Sequence, residues 1–282
     1  MLNDPASSPV QLNESHWGKI DDSAKPQDFA SYLEFIEGSK VIKFLRENLF
    51  DLLPFTRNSR VLDAGCGLGA HTRALAKKIG PAGSVTGIDR SGLMIEKAKS
   101  FPVEVGSAEI RFDTGDICAL PYENECFDAI FTDRVFIHVS EPERALAEFR
   151  RVLKPGGYVA MSETDWSVTD ITPSSEQLTL LVAEKLSSFA NASFGAEMDK
   201  YFRQAGFEVL QHNGHFHSHK EYDLTWKVMN MEGAGHRLIE KGLLTKEQYV
   251  ALKEGLQQAE VSGEFEVKGT MYFGLAQKKE VL

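Results

Sequence analysis

The chain has 282 residues, enough for one large domain or for one domain with a small additional unit. Its formal net charge of -10 argues against a nucleic-acid partner, because proteins that bind phosphate backbones usually carry a basic face. Three cysteines are too few for a disulfide framework, no apolar run approaches the roughly 18 residues of a membrane span, and no secretory signal is recognisable at the N-terminus. These features predict a cytoplasmic protein that acts on a small molecule.

The first 54 residues divide into a polar arm, up to about residue 26, and an amphipathic helical region. Trp17 and Ile20 are the apolar residues expected to dock the arm. Two apolar stripes with helical spacing follow. They consist of Phe29, Tyr32, Leu33 and Ile36, and of Val41, Phe44, Leu45, Leu49 and Leu52.

Strands and helices then alternate. The patterns predict strands at 60–64, 84–89, 109–114, 127–132 and 158–162, and helices at 71–79, 92–100 and 142–153. The sequence Lys154-Pro155-Gly156-Gly157 is a clear helix stop. This alternation predicts a parallel sheet with helices on both faces.

The second half is less regular. Helices are predicted at 175–189 and 196–205, and a strand at 207–211 that extends at most to His217. Residues 222–262 are predicted to be helical, and 265–276 to form the final strand. The helical segment therefore reads as an insertion between the last two strands, positioned to cover a site.

A glycine loop follows the first strand. Gly65, Gly67 and Ala70 fit the pattern G-x-G-x-x-G/A, whose glycines permit a tight turn and a close approach of the backbone to a ligand. Cys66, inside this loop, is expected to contribute its backbone. Dinucleotide-binding folds use the same loop, so by itself it leaves the cofactor open.

Acidic residues around the loop narrow the choice of cofactor. Asp89 ends the second strand, where a carboxylate can accept both hydroxyls of a ribose. Asp116 follows the third strand and is expected to bind the amino group of adenine, with Ile117 against the ring. Asp63 is expected to face the ammonium group of an amino acid. Together these acids suit S-adenosylmethionine better than a dinucleotide, whose second half needs phosphate contacts.

Residues 60–163 resemble the core of the class I methyltransferases of the ubiquinone/menaquinone-biosynthesis type (methyltransferase type 11 group). The matching segments are Val61–Gly69, Gly87–Met94, Gly115-Asp116, Ala119-Leu120-Pro121, Phe127-Asp128-Ala129 and Arg151–Gly157. The resemblance implies a Rossmann-like, doubly wound α/β fold with a seven-stranded sheet and a reversed final strand, a role that fits 265–276. It also implies S-adenosylmethionine as methyl donor and S-adenosylhomocysteine as product.

This interpretation divides the chain into four parts: an arm with lid helices (1–54), a cofactor-binding core (55–221), a helical lid insertion (222–262) and the final core strand (263–282). The predicted cofactor contacts are Asp63, Gly65, Cys66, Gly67, Asp89, Arg90, Met94, Asp116, Ile117 and Asp133. Met94 is expected on the adenine side, although an ordinary core methionine is an alternative, and Asp133 is expected beside the methionine part.

The acceptor side is predicted from three residues. His138 follows the fourth strand, where a neutral imidazole can take a proton from a phenol or hydroxyl group; the alternative is a histidine that orders the loop. Arg134 either binds an acidic acceptor or pairs with a neighbouring carboxylate, which we favour. Trp166 either forms an aromatic wall for a flat substrate or packs in the core.

Four histidines cluster at 212, 215, 217 and 219. On an extended strand the outer two of the last three lie roughly 13 Å apart, which is awkward for one tetrahedral metal ion. We therefore predict no metal site, and one of these histidines is a candidate for the acceptor pocket.

The sequence predicts methyl transfer to a small-molecule acceptor, with oxygen or carbon favoured over nitrogen, and says nothing about oligomeric state. One alternative is an NAD-dependent oxidoreductase, because Tyr249 and Lys253 have the Tyr-x-x-x-Lys spacing of short-chain dehydrogenases. Another is a protein that binds S-adenosylmethionine without transferring its methyl group.

Overall fold

A computed structural model describes residues 14–23, 25–38, 50, 53–54 and 56–279. The second apolar stripe of the N-terminal region lies outside the described residues, with all five of its members: Val41, Phe44, Leu45, Leu49 and Leu52. The first stripe lies on helix α1 (Pro26–Gly38), which a 3-10 segment (Glu14–Asp22) precedes. Trp17 and Ile20 dock this segment against Phe29, Leu68 and Met94, as the arm interpretation expected.

The described part of the core consists of seven strands in one sheet. They are β1 (Arg60–Ala64), β2 (Ser84–Asp89), β3 (Glu109–Thr114), β4 (Phe127–Asp133), β5 (Leu153–Thr172), β6 (Phe207–His219) and β7 (Glu266–Lys278). The strand order is β3-β2-β1-β4-β5-β7-β6. The first five strands are parallel, and β7 is antiparallel to both of its neighbours. The predicted α/β fold with its reversed final strand is confirmed.

Helices cover both faces of the sheet. In chain order they are α2 (Ala70–Ile79), α3 (Gly92–Ser100), α4 (Pro142–Val152), α5 (Glu176–Leu186) and α6 (Phe194–Gln204). Three more, α7 (Tyr222–Val228), α8 (Met231–Glu240) and α9 (Lys246–Ser262), lie between β6 and β7. Helix α4 shows why the sequence folds this way: its buried side chains Ala145, Leu146 and Phe149 have helical spacing and pack on the sheet.

Two predicted strands were too short. Strand β5 continues to Thr172 because β7 pairs with it as far as Glu266, after an irregularity between Asp165 and Asp170. Trp166 therefore lies within β5 and not after it. Strand β6 reaches His219 for the same reason, since its whole length pairs with β7. Strand β4 stops pairing with β5 at Ser162, so these extensions project beyond the carboxyl edge of the parallel strands.

Among the described residues, no helix combines the length and the apolar character needed to cross a membrane.

Candidate functional site

A cavity of about 410 Å³ lies at the carboxyl ends of the parallel strands. This is where ligands bind in open α/β sheets, at the point where the strand order reverses, here between β1 and β4. One part, which we call the cofactor half, is lined by Gly65, Cys66, Gly67, Leu68, Asp89, Arg90, Met94, Asp116, Ile117 and Asp133. The other, the acceptor half, is lined by His138, Trp166, Thr169, Lys185, Phe189, His217, His219, Leu224, Val228, Met229, Lys268 and Met271.

The glycine loop forms the floor of the cofactor half. The N–H groups of Gly65 and Cys66 donate to the carbonyl of Ile88, at 2.8 and 2.9 Å, which ties the loop to β2. Gly65 has φ +79°, and a Cβ there would lie 2.4 Å from a methyl group of Val135. The loop therefore needs glycine for both its backbone conformation and its close packing, and it presents bare backbone to the cavity.

Asp89 connects the loop to the next strand. Its carboxylate accepts hydrogen bonds from the N–H of Gly67 at 2.8 Å and from the N–H of Ser91 at 2.9 Å, and it lines the cavity. Burial raises the pKa of Asp89 above its ordinary value, although these two donors oppose the shift. The carboxylate is thus held in a fixed position at the end of β2, as the ribose prediction requires.

The opposite rim of the cofactor half is more open. Asp116 accepts a hydrogen bond from the N–H of Cys118 at 2.8 Å, and Arg90 lies 3.8 Å from its other oxygen. Ile117 is 8% exposed and Met94 is fully buried, and both line the cavity. These residues and Asp89 lie together, as the sequence predicted from the ends of neighbouring strands.

Asp63 is the exception among the predicted cofactor contacts. Its carboxylate is 2% exposed, accepts a hydrogen bond from the Thr72 hydroxyl at 2.6 Å and does not line the cavity. Burial raises its pKa to about 7. Successive side chains of a strand point to opposite faces, and the one at Asp63 is directed towards α2. The structure therefore does not support the predicted contact with an ammonium group.

Asp133 occupies the middle of the cavity, where β4 ends. Arg134 donates to it from Nε at 2.9 Å, and the Ser162 hydroxyl also donates to it. Burial alone would raise the pKa of Asp133, but Arg134, His71 and Ser162 together lower it below its ordinary value. The favoured interpretation of Arg134, a pairing with a neighbouring carboxylate, matches this geometry.

His138 lies in a short 3-10 segment (Phe136–His138) that is held from two sides. The Glu163 carboxyl accepts hydrogen bonds from the N–H groups of Val135 at 2.8 Å and Phe136 at 2.6 Å. The Asn191 amide donates to the carbonyls of Phe136 and Val139. Burial, and then the charge of Lys185, lowers the pKa of His138 to about 3, so the imidazole is neutral at physiological pH.

Aromatic rings form a continuous wall beside this histidine. The ring of His138 lies 5.5 Å from that of Trp17 and 5.6 Å from that of Phe189. Phe189 stacks on Trp166 with a centroid distance of 5.3 Å, and the Lys185 ammonium lies over both of these rings. The sequence identified His138 and Trp166, but it missed Phe189 and Lys185, which an ordinary amphipathic helix and the turn after it carry.

The N-terminal segment also contributes a contact that the sequence did not indicate. Asp21 accepts hydrogen bonds from the N–H of Gly92 at 2.8 Å and from the hydroxyl of Ser91, at the start of α3. An anionic side chain there complements the positive end of the helix. An acidic residue in a polar arm carries no recognisable signal, so this anchor beside Asp89 could not be predicted from the sequence.

The four histidines separate into two pairs. His212 is within 2.9 Å of the carbonyl of Gly195 and stacks on Tyr272, while His215 packs edge-on against Phe273. His217 and His219 line the acceptor half, with ring centroids 5.0 Å apart. Within the described residues, no three His, Cys, Asp or Glu side chains are grouped to hold a metal ion.

Tyr249 and Lys253 lie away from the cavity. Both donate to the same oxygen of Glu232, each at 2.9 Å. They form a polar network that joins α8 to α9, and neither lines the cavity. The spacing that suggested a short-chain dehydrogenase therefore has a structural explanation here.

Comparison with known sequences identifies the same core. The family described as "Methyltransferase domain" matches residues 55–213, which is more than half of the chain. An uncharacterized 37.1 kDa protein of transposon TN4556 from Streptomyces fradiae is 37% identical over 73% of this chain and 61% of its own length. Demethylmenaquinone methyltransferase from Staphylococcus aureus is 36% identical over 43% of this chain and 50% of its own length. The chain thus spans about half to three-fifths of these relatives.

A solved structure shows the same fold. Phosphoethanolamine N-methyltransferase 2 from Haemonchus contortus, in complex with phosphomonomethylethanolamine and S-adenosylhomocysteine, superposes with a TM-score of 0.60. The match covers 94% of this chain and 60% of that one, at 19% sequence identity. At this level of identity the similarity concerns the arrangement of the elements only.

Proposed function

The chain belongs to the class I S-adenosylmethionine-dependent methyltransferases, and we propose that it transfers a methyl group to a small molecule bound in the acceptor half. The observation that carries this proposal is the continuity of the cavity. One continuous cavity runs from the glycine loop and Asp89 to the aromatic wall at Trp166. A donor and an acceptor can therefore meet inside it in direct contact.

The residues of the cofactor half fit S-adenosylmethionine. Gly65 and Gly67 line the cavity without side chains, which permits a ligand to approach their backbone closely. We propose that the fixed carboxylate of Asp89 binds the ribose hydroxyls, that Asp116, Arg90 and Ile117 surround the adenine, and that Asp133 lies beside the methionine part. When bound, S-adenosylmethionine supplies a methyl group activated by its sulfonium.

What the chain itself supplies is alignment and exclusion of water. Residues of α1 and α7 close the cavity from both sides, since the Tyr32 hydroxyl donates to the carbonyl of Val228 at 2.6 Å. We propose that 1–54 and 222–262 act as a two-part lid over a core formed by 55–221 and 263–282. Alignment of reacting groups in such a closed site lowers the barrier without any charged catalyst.

Oxygen or carbon acceptors remain the favoured class. We propose that His138 receives the proton when an acceptor must lose one, since its neutral imidazole lines the acceptor half. The low pKa makes His138 a weak base, and burial is its larger cause, with the nearby Lys185 charge as the second. Arg134 stays paired with Asp133 and is proposed to position that carboxylate.

The test combines binding with transfer. The purified chain should bind S-adenosylmethionine and S-adenosylhomocysteine in calorimetric titrations and should not bind NADH. It should also move radioactive methyl label from S-adenosylmethionine to members of a panel of phenols, activated carbon acids and amines. Tight binding of NADH with no binding of S-adenosylmethionine would contradict the proposal. Binding of S-adenosylmethionine without label transfer to any acceptor class would favour a protein that binds the molecule without methylating.

A further inference from the structure

We propose that the ion pair of Asp133 and Arg134 binds the amino-acid end of the methyl donor, with the donor's carboxylate on Arg134 and its ammonium on Asp133. This inference rests on the proposed function, because it concerns S-adenosylmethionine in the same cavity. It goes further by assigning the carboxylate to a residue of the chain. It concerns binding alone, so it can be tested without a methyl acceptor.

The N–H groups of the glycine loop are already engaged within the protein. Those of Gly65 and Cys66 donate to a carbonyl of β2, and that of Gly67 donates to Asp89 at 2.8 Å. That of Gly69 donates to the carbonyl of Cys66, also at 2.8 Å. Loops of this kind often bind an anion through such groups at the start of a helix. Here these four are not available, so the carboxylate of S-adenosylmethionine needs a partner from another segment.

Arg134 lies beside this loop, directly after β4, and it lines the cavity. A Cβ at Gly65 would lie 2.4 Å from a methyl group of Val135, the residue after Arg134, so the two segments are in contact. The backbone of Arg134 has φ +55°, in the left-handed region that residues with side chains rarely adopt. Its N–H donates to the carbonyl of Ser162 at 2.9 Å, which holds this conformation. Strained backbone of this kind is concentrated at functional sites.

The guanidinium of Arg134 can take a second carboxylate without leaving Asp133. Its Nε donates to Oδ2 of Asp133 at 2.9 Å, and its Nη2 lies 2.8 Å from the same oxygen. Nη1 has no hydrogen-bond partner among the described residues, and 22% of the side chain is exposed. Nη1 and Nη2 together form an edge that binds a carboxylate through two parallel N–H groups. This edge is the proposed carboxylate site.

The charges around Arg134 complement an amino acid, which carries one charge of each sign. Burial alone would raise the pKa of Asp133, but Arg134 and His71 lower it below its ordinary value, so Asp133 stays ionised. Burial raises the pKa of the neighbouring Glu163 to about 8, so this carboxyl is mostly protonated at pH 7 and does not compensate Arg134. An ammonium can therefore approach Asp133 while a carboxylate approaches Arg134.

Either the methyl donor or an acidic acceptor could bring a carboxylate to Arg134, and position favours the donor. Val135, the next residue, packs on the glycine loop, where the methionine part is expected. The other lysine and arginine side chains that line the cavity within the described residues lie elsewhere. Arg90 is on the open rim of the cofactor half, and Lys185 and Lys268 are in the acceptor half.

The experiment compares nucleosides that differ only in the amino-acid end, in calorimetric titrations of the full chain. They are S-adenosylhomocysteine, its decarboxylated analogue, which keeps the ammonium, its deaminated analogue, which keeps the carboxylate, and methylthioadenosine, which has neither. We expect the decarboxylated analogue to bind about tenfold more weakly than S-adenosylhomocysteine, because it loses a charge-assisted hydrogen bond. The deaminated analogue should lose affinity to a similar extent, and methylthioadenosine should bind most weakly.

Variants assign the recognition of the carboxylate to Arg134. The measured quantity is the Kd of the decarboxylated analogue divided by that of S-adenosylhomocysteine. Both ligands carry the ammonium, so a change at Asp133 affects them alike and cancels. Arg134→Gln should lower this ratio from about ten to about one or two. Arg134→Lys keeps the charge without the paired N–H groups and should lower the ratio at least about threefold.

Two further variants serve as controls. Asp133→Asn should reduce the preference for S-adenosylhomocysteine over the deaminated analogue, because it removes the partner of the ammonium. Arg203→Gln, which removes an exposed arginine from α6, is the matched control for Arg134→Gln and should leave every Kd unchanged.

The outcomes are distinct. Equal binding of S-adenosylhomocysteine and its decarboxylated analogue to the unaltered chain would overturn the proposal. So would an undiminished ratio in Arg134→Gln, which would leave Arg134 to position Asp133 or to bind an acidic acceptor. If Arg134→Gln fails to fold, Arg134→Lys decides, and an unchanged ratio there would overturn the proposal. Failure of all four nucleosides to bind would instead contradict the proposed function.

Discussion

The hydroxyl of Tyr32 donates a 2.6 Å hydrogen bond to the carbonyl of Val228, across 196 positions of sequence. This bond joins helix α1, near the N-terminus, to the end of helix α7, and both residues line the cavity. Two segments that are remote in the chain thus close one site. The bond must break if the two segments separate to admit an acceptor or release a product.

Removal of this bond should loosen the closed state. Tyr32→Phe keeps the ring and removes the hydroxyl, at a cost of about 1 kcal/mol, so we expect S-adenosylhomocysteine to dissociate roughly fivefold faster. Stopped-flow displacement measures this rate. Tyr201→Phe, whose ring stacks on Phe194 away from the cavity, is the matched control. Equal dissociation rates in Tyr32→Phe and the unaltered chain would show that this bond does not limit release.

Two glycines with nearly the same φ separate the effect of crowding from that of backbone strain. Gly65 has φ +79° and would place a Cβ 2.4 Å from Val135, whereas Gly263, which follows α9 in the left-handed conformation, has φ +81° and open space around it. Gly263→Ala should cost about 1 kcal/mol in unfolding free energy, from the left-handed conformation alone. Gly65→Ala should cost roughly 1–3 kcal/mol more and weaken S-adenosylhomocysteine binding, because Val135 must move. Chemical denaturation measures both, and equal losses would contradict the crowding argument.

Asp89 should be essential for cofactor binding. Asp89→Asn removes the charge that accepts the N–H groups of Gly67 and Ser91, which are worth roughly 1.5–3 kcal/mol each as charged hydrogen bonds. We expect the Kd for S-adenosylhomocysteine to rise at least about tenfold. Asp199→Asn, on the surface of α6, should leave the Kd unchanged. A normal Kd in Asp89→Asn would remove this carboxylate from the cofactor site.

His138 should affect kcat, but its protonation should not appear in the pH profile near the ordinary pKa of histidine. If it receives the proton, His138→Gln should lower kcat about a hundredfold at saturating acceptor. Because the pKa of His138 lies near 3, the pH profile of kcat/KM for the unaltered chain should show no inflection that His138 causes near the ordinary pKa of histidine. The His138→Gln variant should therefore have the same profile in that pH range. His215→Gln, which lies outside the cavity, is the control. Unchanged kcat in His138→Gln would exclude the proton-transfer role.

Glu163 should make the fold less stable as pH rises. Burial raises the pKa of this carboxyl from 4.5 to about 8, so between these values the folded state holds a proton that the unfolded state has lost. The unfolding free energy therefore falls with pH across this window, by at most about 1.4 kcal/mol per pH unit, and is level above it. Glu163→Gln imitates the neutral acid and should lack this dependence.

The effect of Glu163 is measured as the difference in unfolding free energy between Glu163→Gln and the unaltered chain at several pH values. The titration of other groups, among them Asp63, contributes equally to both proteins and cancels in this difference. The advantage of the variant should grow as pH rises from about 5 to 8. A constant difference would mean that Glu163 keeps an ordinary pKa. Glu163→Ala, by contrast, removes the acceptor for the Val135 and Phe136 N–H groups and should disturb His138 at every pH.

Sequence patterns predicted the α/β core closely. Alternating apolar runs and glycine stops gave β1, β2, β3 and the helix start at Gly92, because local periodicity and turn chemistry determine these elements. The ends of β5 and β6 could not be predicted in the same way, since pairing with β7, about a hundred residues later for β5, extends both strands. Non-local pairing leaves no local signal at a polar, exposed strand end.

The sequence by itself determined the donor side of this protein. The spacing of the glycine loop, Asp89 and Asp116 at successive strand ends requires that they meet at one sheet edge, because parallel strands end together. Only the tertiary structure decided the acceptor side, where Trp17, His138 and the pair of Lys185 and Phe189 come from three separate segments. It also turned Asp63 away from the cavity towards Thr72. A cofactor motif is local and periodic, whereas an acceptor pocket is assembled by packing between distant segments, and its chemistry is visible only once they are in contact.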